Sequence, residues 1–286
     1  FIFFQLSATV VDKIISFYSH QRNVKKKDYR NILVIKIAGM GDAVLMLPSL
    51  KALKRNYPNA KVSVLVTPTT KGPFVGNDTV DEIINYDVLG KSKGLLGYVK
   101  LVYSLRKRNF DLVLDMEQHF KLTAITAYLI GTEHRVGFSI DGKGRGLLLS
   151  NKVVPEPNRH MAENFANIVR AIGVKVEIDR LEPIYISKEA KRAITQWFAT
   201  NDIREEQLRV GIQATSHKPG STGQEIDLRR WPKERFAIVA DKLIKEYGAA
   251  VIFTGTIHER PAVDEIISLM EEKAINAAGE TVSVSE

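Results

Sequence analysis

Cysteine is absent from all 286 residues, which excludes a disulfide framework and thiolate zinc fingers and fits a reducing compartment. Any metal would have to be held by histidine and carboxylates. No His-Glu-x-x-His and no Gly-x-Ser-x-Gly occurs, so neither a zinc protease nor a nucleophile-elbow hydrolase has its motif here. Asp-x-Asp is missing too. The nearest spacings, Glu177-x-Asp179 and Glu225-x-Asp227, fall in expected loops or edges, which disfavours a diphosphate held through a metal ion. The apolar opening stretch is interrupted by Asp12 and Lys13 and carries no signal-peptide cleavage pattern, so it reads as neither a bilayer span nor a cleaved leader.

What is present is a globular composition, 44% hydrophobic, with a net charge of +8 and a pI near 9.4. Such a balance points to an anionic partner. Nucleic acid is disfavoured, because the basic residues are spread along the chain with no recognition motif among them. In residues 1–30, Leu6, Val10, Val11, Ile14, Ile15 and Tyr18 form a helical apolar stripe followed by Arg22, Lys25, Lys26, Lys27 and Arg30. This reads either as an interfacial membrane anchor or as a docking helix with a basic linker.

From Asn31 onward, strands and helices alternate in an α/β pattern. Strands are expected at 32–37, 61–66 and 111–115, a short segment at 81–85, and helices at 42–55, 95–107, 122–130 and 160–172. Gly142-Lys143-Gly144-Arg145-Gly146 reads as a mobile hairpin with a basic tip, since its P-loop-like spacing lacks the Ser/Thr and the following helix. The extended segment 181–185 marks a domain boundary. After it the alternation restarts: helix 188–199 capped by Ser187, strand 208–214, loop 215–229, helix 232–246, strand 249–254 and helix 261–273. The domains are thus 1–30, 31–185 and 186–286. The last has fewer strands than such a sheet ordinarily carries, which suggests a truncated chain.

The organising stretch is Ile32 to Leu45, a buried strand running through Gly39-Met40-Gly41 into a helix. Val44 stands where a third glycine would complete a dinucleotide fingerprint, and Asp42 places a carboxylate where a phosphate would sit. Asp42 reads either as a general base or as a helix cap. Glu117 and His119, after the strand ending at Asp115, are the alternative bases. Lys121 and Arg135 could bind an anionic acceptor, and His160 is either a cap or a ligand. In the second domain Thr215 and Ser216 could hold a diphosphate, with Arg229 and Arg230 neutralising it and Glu259 accepting ribose hydroxyls.

Ile32-Leu33-Val34-Ile35-Lys36 with Gly41-Asp42, Pro48-x-x-Lys51-Ala52-Leu53-Lys54, Arg135-Val136-Gly137-Phe138, His160 ahead of a helix ending at Gly173, and Arg230-Trp231-Pro232-x-Glu234-x-Phe236 occur in order. Together they resemble glycosyltransferase family 9, the heptosyltransferases of lipopolysaccharide core assembly. The resemblance implies a GT-B fold of two Rossmann-like domains facing a cleft, the second incomplete here. It implies an inverting, metal-independent transferase with no cofactor, taking a nucleotide sugar, usually ADP-heptose, to an anionic glycolipid acceptor. On that reading Asp42 is the general base; Thr215, Ser216, Arg229 and Glu259 bind the donor; and Gly41, Lys121, Arg135 and His160 bind the acceptor. The family's later Asp-Thr-Gly…His segment has no counterpart before the chain ends, so this chain is expected to be inactive by itself. A cytoplasmic protein in peripheral contact with an acidic membrane surface, at the cytoplasmic face of the inner membrane, would follow. The competing reading is a non-catalytic nucleotide-binding or scaffold protein of the same fold.

Overall fold

Strand β1 (Asn31–Ile35) is buried from Ile32 onward and lies in the middle of a parallel sheet. In the computed structural model, which describes residues 28–88, 90, 92–140, 144–214 and 231–281, the chain divides into two compact units, 1–185 and 186–286. The expected amphipathic stretch of residues 1–27 lies outside the described residues.

After β1 the chain enters α1 (Met40–Leu45) and α2 (Leu47–Asn56), where the sequence suggests a single helix. The break has a local cause: Pro48, in the first turn of α2, has no N–H to give and its ring would crowd the carbonyl of Val44. Next come β2 (Lys61–Val66), β3 (Glu82–Asn85), α3 (Gly94–Arg106), β4 (Leu112–Asp115), α4 (Lys121–Leu129), β5 (His134–Phe138), β6 (Asn151–Val153) and α5 (Met161–Arg170). Among the described residues these strands form a six-stranded sheet in the order β3-β2-β1-β4-β5-β6, parallel throughout. That order reverses direction between β1 and β4, and ligands in such sheets collect at the carboxyl ends of the strands flanking the reversal.

The sheet is covered on both faces. Ala43, Met46, Leu47, Leu50 and Leu53 of α1 and α2 pack with Phe165, Ile168 and Val169 of α5 against one face. Tyr98 and Leu105 of α3 and Ala127 of α4 cover the other. This double coverage explains why β1 and β4 are continuous apolar runs rather than alternating ones.

One expectation is overturned here. Gly142 and Lys143 of the expected basic tip lie outside the described residues, but β5 and β6 do not pair as a hairpin: they run parallel, Val136 opposite Asn151 and Phe138 opposite Val153. A short 3-10 turn, Arg145–Leu148, carries the chain back before β6, and Arg145 is fully buried. Gly144, at φ 69°, starts that turn in the left-handed region.

The second unit contains α6 (Lys188–Thr200), β7 (Arg209–Ile212), α7 (Lys233–Tyr247), β8 (Ala250–Phe253), α8 (Arg260–Ile267) and β9 (Ile275–Asn276). Its described strands form a parallel sheet in the order β7-β8-β9. Ser187 caps α6 by accepting from the Ala190 amide at 3.0 Å. Helix α8 stops sooner than its apolar spacing suggests, because the Asp241 carboxylate takes the amides of Glu271 and Glu272 and turns the chain toward β9. Among the described residues no helix is long and apolar enough to cross a membrane.

Candidate active site

The site is built on the turn between β1 and α1. Gly39 sits at φ 78°, a left-handed conformation that side chains resist. A Cβ on Gly39 would stand 3.1 Å from Asp42 Oδ2, so glycine both permits the turn and leaves room for the carboxylate. Gly41 has nothing within 4 Å of the position its Cβ would take, so the fold leaves open space there.

Asp42 lies in the first turn of α1, but α1 has Gly39 at its N-cap and no side-chain capping bond. The carboxylate therefore does not cap the helix. Its Oδ2 pairs instead with Lys36 Nζ at 3.3 Å, while 43% of the side chain stays exposed to solvent. A base must reach a substrate proton as well as be held in place, and this carboxylate meets both conditions.

Lys36 is the residue that sequence reasoning missed. It follows β1, is 3% exposed, and lies 3.2 Å from Glu117 Oε1 as well as beside Asp42. Its ammonium also faces the Phe165 ring at 6.0 Å. Glu117 Oε1 accepts in addition from the amides of Ile37 at 2.7 Å and Ala38 at 2.8 Å. Glu117 is thus buried and committed to fixing the strand-to-turn backbone, which corrects its reading as an alternative base: a carboxylate holding two amides and an ammonium inside the protein has no access to a substrate proton.

Behind Glu117 stands Asp115, wholly buried at the end of β4. It accepts from the Glu117 amide at 3.1 Å, from the Thr123 hydroxyl at 3.0 Å and from the Arg145 guanidinium. Burial pushes the Asp115 carboxyl up, and the guanidinium and these hydrogen bonds oppose it. Nε and Nη1 of Arg145 have no hydrogen-bond partner. Lys36, Glu117, Asp115 and Arg145 balance one another in charge, so the surplus negative charge of the group is carried by Asp42, the one member that reaches solvent.

The same sheet edge gathers other expected residues. His119 and Phe120 are exposed after β4, and Lys121 is exposed at the start of α4. His160 is the N-cap of α5, its Nδ1 accepting from the Ala162 amide at 3.3 Å. Gln118 donates to Met161 Sδ at 3.3 Å, tying the loop after β4 to the start of α5.

Arg135 is not brought to this edge. It is the second residue of β5, opposite Val113, and its guanidinium donates to the carbonyls of Leu148 at 2.8 Å, Glu133 at 3.3 Å and Thr132. It also lies over the Tyr128 ring at 5.5 Å, and burial lowers its pKa from the ordinary arginine value. These hydrogen bonds tie Nε and Nη1 to the main chain near the amino ends of the strands.

In the second unit Glu259 is buried, and its Oε2 accepts from the amide of Thr256 at 2.7 Å and its hydroxyl at 2.9 Å, a capping box at the carboxyl side of β8. Thr215, Ser216, Arg229 and Arg230 lie outside the described residues. Among the described residues no group of three or more His, Asp or Glu could hold a metal ion.

Three comparisons bear on this arrangement. Residues 98–282 match the family model described as glycosyltransferase family 9 (heptosyltransferase). Lipopolysaccharide heptosyltransferase 3 of Escherichia coli K12 is 23% identical over 84% of this chain and 68% of its own length. Lipopolysaccharide core heptosyltransferase OpsX of Haemophilus influenzae is likewise 23% identical, over 88% and 68%. Among solved structures, the family 9 glycosyl transferase from Veillonella parvula matches with a TM-score of 0.76 at 23% identity, covering 91% of this chain and 72% of that one. The E. coli ADP-heptose lipopolysaccharide heptosyltransferase II matches with a TM-score of 0.64 at 22% identity, covering 88% and 73%. The fold is α/β, of the GT-B type with Rossmann-like units.

Proposed function

Because the chain belongs to glycosyltransferase family 9, the heptosyltransferase family, we propose that it is an inverting transferase moving heptose from ADP-heptose to a lipopolysaccharide core acceptor, with Asp42 as general base. The observation that carries this reading is the Asp42 carboxylate itself. It stands at the carboxyl edge of the sheet where strand order reverses, caps nothing, is held by a buried lysine, and remains open to solvent.

In this mechanism Asp42 Oδ takes the proton from an acceptor hydroxyl as that oxygen attacks the anomeric carbon from the face opposite the departing ADP. The new glycosidic bond forms as the bond to the diphosphate oxygen breaks, and inversion follows from that approach. Thr215, Ser216 and Arg229 are assigned to the diphosphate, where hydroxyls and a guanidinium stabilise the charge developing on the leaving group without a metal. Glu259 is assigned to the donor ribose, and Gly41, Lys121 and His160 to the acceptor. The acceptor is an anionic glycolipid, which places the protein in the cytoplasm, in peripheral contact with the cytoplasmic face of the inner membrane.

Two measurements test the proposal. In transfer by the full-length protein from ADP-heptose to a heptose-deficient core acceptor, Asp42→Asn, which preserves shape, is expected to lose about 10²-fold or more in turnover. Transfer at the unsubstituted rate would reject Asp42 as the base. In calorimetric titration, ADP-heptose and ADP are expected to bind in preference to UDP and GDP. Adenine-selective binding with no product under any acceptor would instead favour a non-catalytic nucleotide-binding protein of this fold.

A further inference from the structure

Helix α3 carries two adjoining apolar faces, with Lys100, Ser104 and Lys107 on the rest of its circumference. One, Tyr98, Leu101, Val102 and Leu105, is the stripe packed on the sheet. The other is turned outward: Leu95 is 66% exposed, Leu96 77%, Val99 53% and Tyr103 60%. An apolar arc wider than the stripe that packs on the sheet leaves part of itself in water, and exposed leucines recurring on one stripe differ from the scattered apolar residues of an ordinary surface.

The charge around this stripe is of one sign. Between Asp87 and Asp111 the sequence has no acidic residue and six basic ones, Lys91, Lys93, Lys100, Arg106, Lys107 and Arg108. Arg108 is paired with Glu82, whereas Lys93, Lys100, Arg106 and Lys107 are exposed beside the stripe. The Lys107 ammonium lies over the Tyr103 ring at 4.4 Å, which holds a positive charge against the exposed stripe.

We propose that the outer face of α3 docks on an anionic lipid bilayer, with Leu95, Leu96, Val99 and Tyr103 entering the headgroup boundary and the flanking lysines meeting lipid phosphates. A basic helix with an exposed apolar stripe is the chemistry such a surface selects, and neither part suffices alone: the charge attracts the helix and the apolar side chains retain it. The docking has an orientation. Since β3 is parallel to its neighbours and leads into α3, the leucine end of α3 lies at the carboxyl edge of the sheet, the edge that carries Asp42. The inference deepens the peripheral membrane contact of the transferase reading by naming the surface that makes it; the orientation rests on that reading, and the lipid contact is tested without it.

The absence of cysteine supplies a site-specific test. A Val99→Cys chain carries a single thiol, which is labelled with an environment-sensitive fluorophore and mixed with vesicles of phosphatidylcholine alone or of equal phosphatidylcholine and phosphatidylglycerol. The expected result is a blue shift on the anionic vesicles only, with Lys100→Glu/Lys107→Glu weakening that partition by at least about tenfold while its melting temperature is kept. Three results would overturn the proposal: no binding; binding with the label unshifted, which would assign the contact to another surface such as residues 1–30; or a protein-concentration-dependent shift without lipid, which would assign the face to a second copy of the chain.

Discussion

At the scale of single residues, Lys36 decides how Asp42 is used. A charged side chain at the end of an apolar strand is costly to bury, and it persists here because two carboxylates share it, one inside and one at the surface. Removing the ammonium leaves Glu117 buried and uncompensated. Lys36→Met is therefore expected to destabilise the protein by roughly 3–5 kcal/mol, read as a lowered denaturant midpoint. In the same variant turnover should fall more than apparent substrate affinity, because Asp42 loses the partner that aims it. Asp42→Ala makes the opposite separation. Since Asp42 caps nothing, its stability cost should stay below about 1 kcal/mol while transfer collapses. A loss of stability of cap size with transfer retained would return Asp42 to a structural role.

At the scale of elements, the two glycines of the turn have different work. Gly39→Ala must hold a side chain at φ 78° and press on the Asp42 carboxylate, so it should cost about 1–2 kcal/mol of stability and lower turnover beyond what that loss explains. Gly41→Ala meets open space and should fold as the parent does; if Gly41 borders the acceptor, only the acceptor KM rises. Strand β1, the glycine turn and the parallel α/β alternation were legible because long apolar runs and glycine punctuation are local signals. The crossing from β5 to β6 was not. Strand β6 is three residues, Asn151-Lys152-Val153, too short and polar to announce itself, and Arg145 reads as a solvated charge until Asp115 is known to lie opposite it. Arg135 and Arg145 thereby exchange expectations: the arginine with a strand's pattern serves the main chain, and the one in a basic loop is buried behind the site. Lys36 was visible as the one charge in its run, and that anomaly was the available signal.

At the scale of the whole molecule, the two units should respond differently to acid. Among the described residues, the partly buried carboxylates that ion pairs hold below their ordinary values, Asp81 and Glu82, lie in residues 1–185. Burial works to raise the Asp81 carboxyl, but the Lys54 ammonium at 2.6 Å, the Val62 amide and Lys61 outweigh it and leave it below its ordinary value. Lys61 at 2.6 Å, followed by Arg108, holds Glu82 low against its burial. These groups join α2, β2, β3 and the segment after α3 near the amino ends of the strands. For a carboxylate whose native pKa lies below its unfolded one, the unfolded chain binds more protons as the solution is acidified. The stabilisation is therefore complete above the ordinary carboxyl range and is lost as pH falls through the depressed native values. Unfolding of the first unit should shift to lower temperature over that window, with the second unit following less steeply. Glu82→Gln should flatten the acid limb of the first transition and lower its plateau near neutrality. Calorimetric scans at stepped pH resolve this, because two units need not melt as one; an acid limb unchanged by Glu82→Gln would remove these pairs from the account of acid stability.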